Sequence, residues 1–158
     1  ADAPAAANAD GRTAVFRFYN FATGAHFYTN SVEQRDAVIA YYPDFKYEMV
    51  AFYAYAKPAA GLSPVYRFYN TQTAAHVYTA NEQERQAMQA NPAAFNEEGV
   101  AWWARSDAGS ETVNVHRFLN QQTGRYFYTA SVQERDQVIA SYDFLKYQGV
   151  AYNVWAAQ

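Results

Sequence analysis

The stretch VFRFYNFATGAHFYT at residues 15–29 returns as VYRFYNTQTAAHVYT at 65–79 and as VHRFLNQQTGRYFYT at 115–129. The offset is 50 residues each time, and no gap is needed to align the three. Outward from these openings the likeness runs on to the closing segments VAFYAYA (50–56), VAWWARS (100–106) and VAYNVWA (150–156). The repeats are therefore 15–56, 65–106 and 115–156. Val15, Arg17, Phe18, Asn20, Thr23, Tyr28, Thr29, Arg35, Ala40, Val50 and Ala51 are identical in all three copies. Self-similarity at a fixed period of this size marks one supersecondary unit used several times.

Within a copy, Val15 to Asn20 and Ala25 to Thr29 alternate at period 2 and are rich in aromatics, which predicts a hairpin around Phe21–Gly24. Asn before the turn and Gly at its last position suit a type I turn that ends in a left-handed residue, with Ala74 as the strained exception. Ser31, Asn81 and Ser131 each stand three residues before Gln34, Glu84 or Glu134, the spacing of a capping box. A helix over about 32–42 follows, with Arg35, Val38, Ile39 and Tyr42 on one face. After a loop, Val50 to Tyr55 closes the unit as a strand, so each copy reads β-β-α-β. Connectors at Lys57–Pro64 and Asp107–Asn114 are too short for free-standing domains, and a unit of this size is marginal alone. The expected fold class is α+β: a single pseudo-threefold domain, residues 15–158, of three β-β-α-β repeats sharing one core. Ala-rich residues 1–14 read as the flexible N-terminal tail of a mature exported protein.

Composition narrows the function. Lys and Arg number 12 against 15 Asp and Glu, a net charge of −3 with 17% charged residues, so no basic excess points to nucleic acid. Aromatics reach 18%, with 15 Tyr, more than a core of this length needs, and amphipathic rings favour recognition surfaces. There is no Cys, which removes disulfides, thiolate nucleophiles and thiolate metal sites. No apolar run approaches bilayer length, so no membrane span is expected.

A four-residue hairpin loop places Arg17 opposite Tyr28 and Tyr19 opposite His26, all on one face, with Phe16, Phe18 and Phe27 on the core side. The second copy puts Arg67, Tyr69, His76 and Tyr78 on that face; the third has Arg117, Leu119, Tyr126 and Tyr128. On the closing strand Tyr53 and Trp103 are the outward counterparts, with Asn153 third. Rings that stack on a sugar beside Arg, His and Tyr hydrogen-bonders are what a glycan site requires. The candidate ligand-binding residues are Arg17, Tyr19, His26, Tyr28, Tyr53, Arg67, Tyr69, His76, Tyr78 and Trp103. Against this stand structural readings: Asn20 and Thr23 as turn residues, Phe18 and Val50 as core, and Arg17 and Arg35 as partners of Glu33, Glu48 or their equivalents. Catalysis has little to build on, since no triad, phosphate loop, metal-ligand spacing or paired carboxylate motif is present. No catalytic residue, cofactor or metal is expected.

The segments RFYNFATGAHFYT and RFYNTQTAAHVYT, followed by the ERxxxxA helix and the EGVAWW strand, resemble a family of secreted bacterial and fungal repeat domains of unassigned function. Its signature is R-[FL]-Y-N-x-x-T-G-x-H-F-Y-T, then E-G-[VI]-A, and the resemblance covers all three copies. It implies an extracellular module attached to hydrolases and targeting them to surfaces. Carried over, the motif positions are Arg17, Tyr19, Asn20, Thr23, Gly24, His26, Phe27, Tyr28 and Thr29, and Arg67, Tyr69, Asn70, Thr73, His76, Tyr78 and Thr79. Ala74 and Val77 depart in the second copy; Leu119, Arg125 and Tyr126 depart in the third. The expectation is a secreted, non-enzymatic, lectin-like module for cell-surface or cell-wall glycans, with two working sites. The alternative is a protein-binding or inhibitory domain using a Tyr-rich surface.

Overall fold

Three β-β-α-β runs follow one another in the computed structural model, which describes residues 11–158. The first is β1 (Arg12–Asn20), β2 (Ala25–Thr29), α1 (Val32–Tyr41) and β3 (Phe45–Tyr55). The second is β4 (Ser63–Asn70), β5 (Ala75–Thr79), α2 (Glu82–Gln89) and β6 (Phe95–Ala104); the third is β7 (Thr112–Asn120), β8 (Tyr126–Thr129), α3 (Val132–Ser141) and β9 (Leu145–Trp155). Most of the tail expected at 1–14 lies outside the described residues. Its last three residues open β1, pairing Arg12 with Tyr55 and Ala14 with Tyr53, and so belong to the domain.

The hairpin register is the expected one: Arg17 faces Tyr28, Phe18 faces Phe27 and Tyr19 faces His26. The turn chemistry is local. Asn20 Oδ1 accepts from the backbone N–H groups of Ala22 and Thr23, and Gly24 donates to the Asn20 carbonyl at 2.7 Å. Asn70 and Asn120 do the same. The last turn residue is left-handed in each copy, at φ 77° for Gly24, 75° for Gly124 and 58° for Ala74, where a Cβ is strained.

Each helix starts on the expected cap, with Ser31, Asn81 and Ser131 accepting from the backbone of Gln34, Glu84 and Glu134. The reciprocal half of a capping box is replaced. Thr29, Thr79 and Thr129 Oγ1 accept from the cap residues' own N–H groups, which releases the side chains of Gln34, Glu84 and Glu134 for other partners. The helix face is narrower than the periodicity implies: Arg35 and Val38 are buried, whereas Ile39 and Tyr42 are 54% and 56% exposed. Arg35 instead caps a ring, its guanidinium 4.6 Å from the Phe16 centroid, as Arg85 lies over Tyr66 at 3.9 Å.

The closing strands are longer than Val50–Tyr55 and are bulged against their neighbours. In β6 and β9 the bulge uses Gly99 and Gly149 at φ 93° and 94°; Met49 holds the matching place in β3. The bulge turns Val100 and Val150 outward, so the core role expected at this position does not hold there. At their far ends the closing strands meet in a ring of bridges: Tyr55 with Trp103, Arg105 with Asn153, and Trp155 back to Tyr53.

Two kinds of core result. Each helix covers a small cluster on one sheet face, such as Phe16, Phe18, Phe27 and Val38 under α1. The other faces converge on a shared cluster of Val15, Val65 and Val115, Phe52, Trp102 and Tyr152, and Tyr28, Tyr78 and Tyr128. The three tyrosines meet edge to face with centroids 5.3, 5.5 and 5.6 Å apart. The chain is one α+β domain, mostly sheet with three helices.

Candidate functional site

The shared core corrects two expected site residues. Tyr28 and Tyr78 are 1% exposed and lie among the buried residues of all three runs. Their hydroxyls explain why. β2, β5 and β8 each pair with a single strand, so their free edges carry unpaired backbone groups into the interior. Tyr78 Oη accepts from Tyr28 N–H and donates to the Tyr28 carbonyl; Tyr28 Oη does both for Tyr128, and Tyr128 Oη accepts from Tyr78 N–H. Desolvation pushes all three phenols above their ordinary value. Tyr53 and Trp103, also expected at the site, are half-buried members of the bridge ring.

The repeated arginines sit at the seams between runs. Arg17, 4% exposed, donates from Nε to Glu48 at 2.8 Å and from Nη1 and Nη2 to both oxygens of Glu134 at 2.8 and 3.0 Å. Thus one partner comes from its own closing strand, as the buried-pair reading expects, and the other from the helix start of the third run. Arg117 repeats this with Gln148 and a bidentate Glu84. Arg67 holds Glu98 at 2.8 Å but meets only Gln34 Oε1 at 3.3 Å. Against Glu134, burial works to raise the carboxyl, yet the hydrogen bonds from Arg17 and Thr129 bring it below the usual range.

Beside the Arg17–Glu134 pair, a cleft of about 360 Å³ opens between the first and third runs. Its near wall is Arg17, Tyr19, Gly24, His26 and Glu48; its far wall is Asn120, Arg125, Tyr126, Phe127, Glu134, Tyr142, Phe144 and neighbouring aliphatics. The His26 ring packs 5.1 Å from Tyr19 and 4.7 Å from Phe127, with Nε2 3.7 Å from Glu48. Burial, then the Arg17 charge, pushes His26 down to about 3 against an opposing pull from Glu134, so the imidazole is neutral near pH 7. Arg125 Nη1 donates to the Thr23 carbonyl at 2.6 Å, tying the two hairpin turns together.

Of the expected residues, Arg17, Tyr19 and His26 come together here. Arg67, Tyr69 and His76 form a related group at the seam of the first two runs, where His76 lies 5.0 Å from both Tyr69 and Phe27 and 3.3 Å from Glu98. The far wall was not foreseen. Its signal lay in the departures of the third copy, Arg125 and Tyr126, which look like erosion when each copy is taken as a self-contained site. Among the described residues, no cluster of three or more His, Cys, Asp or Glu can hold a metal ion.

The class defined so far is a single α+β domain with an internal repeat and a cleft at a seam between repeats. The chain belongs to the family described as Domain of unknown function (DUF5648), which it matches over residues 2–105 and again over 93–158. No curated protein and no solved structure matches it. No helix among the described residues is long and apolar enough to cross a membrane.

Proposed function

We propose that the chain is a secreted, non-enzymatic, lectin-like module of pseudo-threefold architecture that recognises cell-surface or cell-wall glycans. One observation carries this reading: a cleft of saccharide size joins the rings of Tyr19, Tyr126, Tyr142 and Phe144 to the carboxylates of Glu48 and Glu134. Apolar C–H faces of a sugar pack on rings, and its hydroxyls donate to carboxylate oxygen. The three-way interlock of Tyr28, Tyr78 and Tyr128 and the ring of strand bridges support the threefold architecture. Arg17 keeps Glu134 ionised and His26 is neutral, so the pair lacks a ready general acid. Neither group is then charged with a proton to deliver to a leaving group near pH 7.

The test is binding of labelled protein to a broad panel of immobilised glycans, with peptidoglycan fragments and chitin oligomers included. Specific capture that free sugar competes away is the expected result; a blank panel with folded protein overturns the reading. A second reading, a protein-binding or inhibitory domain, is favoured by the exposed side chains of Phe21, Ile39, Tyr41 and Tyr42. Saccharide competition leaves such binding untouched.

A further inference from the structure

The charged groups lining the cleft are two cations, Arg17 and Arg125, and two anions, Glu48 and Glu134. They are not equally presented. The Arg17 side chain is 5% exposed, whereas Glu48 and Glu134 are 25% and 32% exposed. Nε, Nη1 and Nη2 of Arg17 are each engaged by a carboxylate, and Arg125 spends Nη1 on a backbone carbonyl while its Nε is sealed from solvent. On the Arg17 side a ligand therefore meets carboxylate oxygen, held in place by a buried guanidinium, in a site whose formal charges cancel. Such a floor takes hydroxyl donors. With the formal charges cancelled it offers neither an anionic nor a cationic substituent on the ligand a net attraction.

One pairing of rings across the cleft is peculiar to this seam. Position 144 is Phe here but Asp44 and Ala94 in the other copies, and position 19 is Tyr here and at Tyr69 but Leu119 in the third. Pairing each copy's position 19 with the preceding copy's position 144 gives Tyr19 with Phe144, Tyr69 with Asp44 and Leu119 with Ala94. Only the first pair has a ring on both sides.

We infer that this cleft takes one uncharged saccharide per chain, its hydroxyls read by Glu48 and Glu134 and its apolar faces held between Tyr19 and Phe144. This rests on the carbohydrate reading and replaces the expectation of two sites with one. Two substitutions isolate the carboxylates without threatening the fold, because the other copies already carry them: Gln34 stands where Glu134 does and bonds Arg67, and Gln148 stands where Glu48 does and bonds Arg117.

The experiment is a calorimetric titration of the whole chain with neutral, uronate-bearing and amine-bearing oligosaccharides of equal length. The expected result is one neutral saccharide bound per chain. Glu134→Gln and Glu48→Gln should each weaken it about tenfold, the cost of a lost charge-assisted hydrogen bond. Phe144→Ala should weaken binding while the melting curve stays in place, since that ring is exposed. Two or three saccharides per chain, preference for a charged sugar, or wild-type affinity in Glu134→Gln overturns this inference and leaves the carbohydrate reading standing. No saccharide bound at all removes both.

Discussion

At Tyr28 a single hydroxyl satisfies the N–H and the carbonyl of Tyr128, groups that a buried strand edge leaves without water or a neighbour. Tyr28→Phe keeps the ring and orphans both, at about 1–3 kcal/mol for each buried group. Chemical denaturation should therefore show a loss of roughly 2–6 kcal/mol, while Tyr42→Phe at an exposed ring changes little. The same tyrosines set an alkaline limit. Their folded pKa values are raised by desolvation, so the stability they confer is complete below the ordinary phenol value near pH 10 and drains away as pH climbs above it. His26 acts at the acid end with the opposite sign. Its folded value is lowered to about 3 from an ordinary 6.5, so its contribution is present above pH 6.5 and is lost as pH falls toward 3. Denaturation midpoints of wild type and His26→Gln compared at pH 7, 5 and 4 isolate that component: the gap between them should narrow steadily on acidification.

The hairpins and seams carry two further expectations, and both borrow the chain's own alternatives. Ala74 occupies a left-handed turn position that Gly24 and Gly124 fill without strain. Ala74→Gly should stabilise the protein by about 0.5–1 kcal/mol despite the added freedom of the unfolded chain, read as a rise in the thermal midpoint. At the Arg67 seam, Gln34→Glu supplies the bidentate partner that Arg17 and Arg117 already have and should add about 0.5–1 kcal/mol, provided salt is low enough not to screen the pair; a fall would mean that Glu98 and the new carboxylate repel more than Arg67 binds. The hairpins, their register, the caps and the left-handed turn were all legible in the sequence, because each is decided by residues within about ten positions of one another. So was the burial of Phe16, Phe18 and Phe27; that the opposite face is buried as well, at Tyr28 and Tyr78, was not. Alternation of apolar and polar residues distinguishes inside from outside only when one face is wet, and here Phe18 faces a helix while Tyr28 faces the other two runs. The near wall of the cleft was readable as Arg17, Tyr19 and His26; the far wall comes from more than 90 residues away, and no spacing rule connects the two.

Across the whole molecule, the interlocked tyrosines and the seam arginines make each run a structural ligand of the other two. Melting followed by far-UV dichroism and by Tyr and Trp fluorescence should give one coincident transition, and a chain cut after Ser106 should fail to show it, because Tyr28 and Arg17 then lose Tyr128 and Glu134. The ring of bridges has one more consequence. Trp155 pairs with Tyr53, and the Arg12 guanidinium lies 5.4 Å from the Trp155 ring, so the last strand ends where the first begins. The peptide links at Lys57–Leu62 and Ser106–Glu111 join neighbouring runs, and the end of β9 beside the start of β1 offers a third place for such a joint. Circular permutation of residues 11–158, joining the end of β9 to the start of β1 with a short Gly-Ser bridge and opening the chain between Ala59 and Gly61, should return a protein with the same melting cooperativity and the same saccharide selectivity, although its amino acids are read off in a different order.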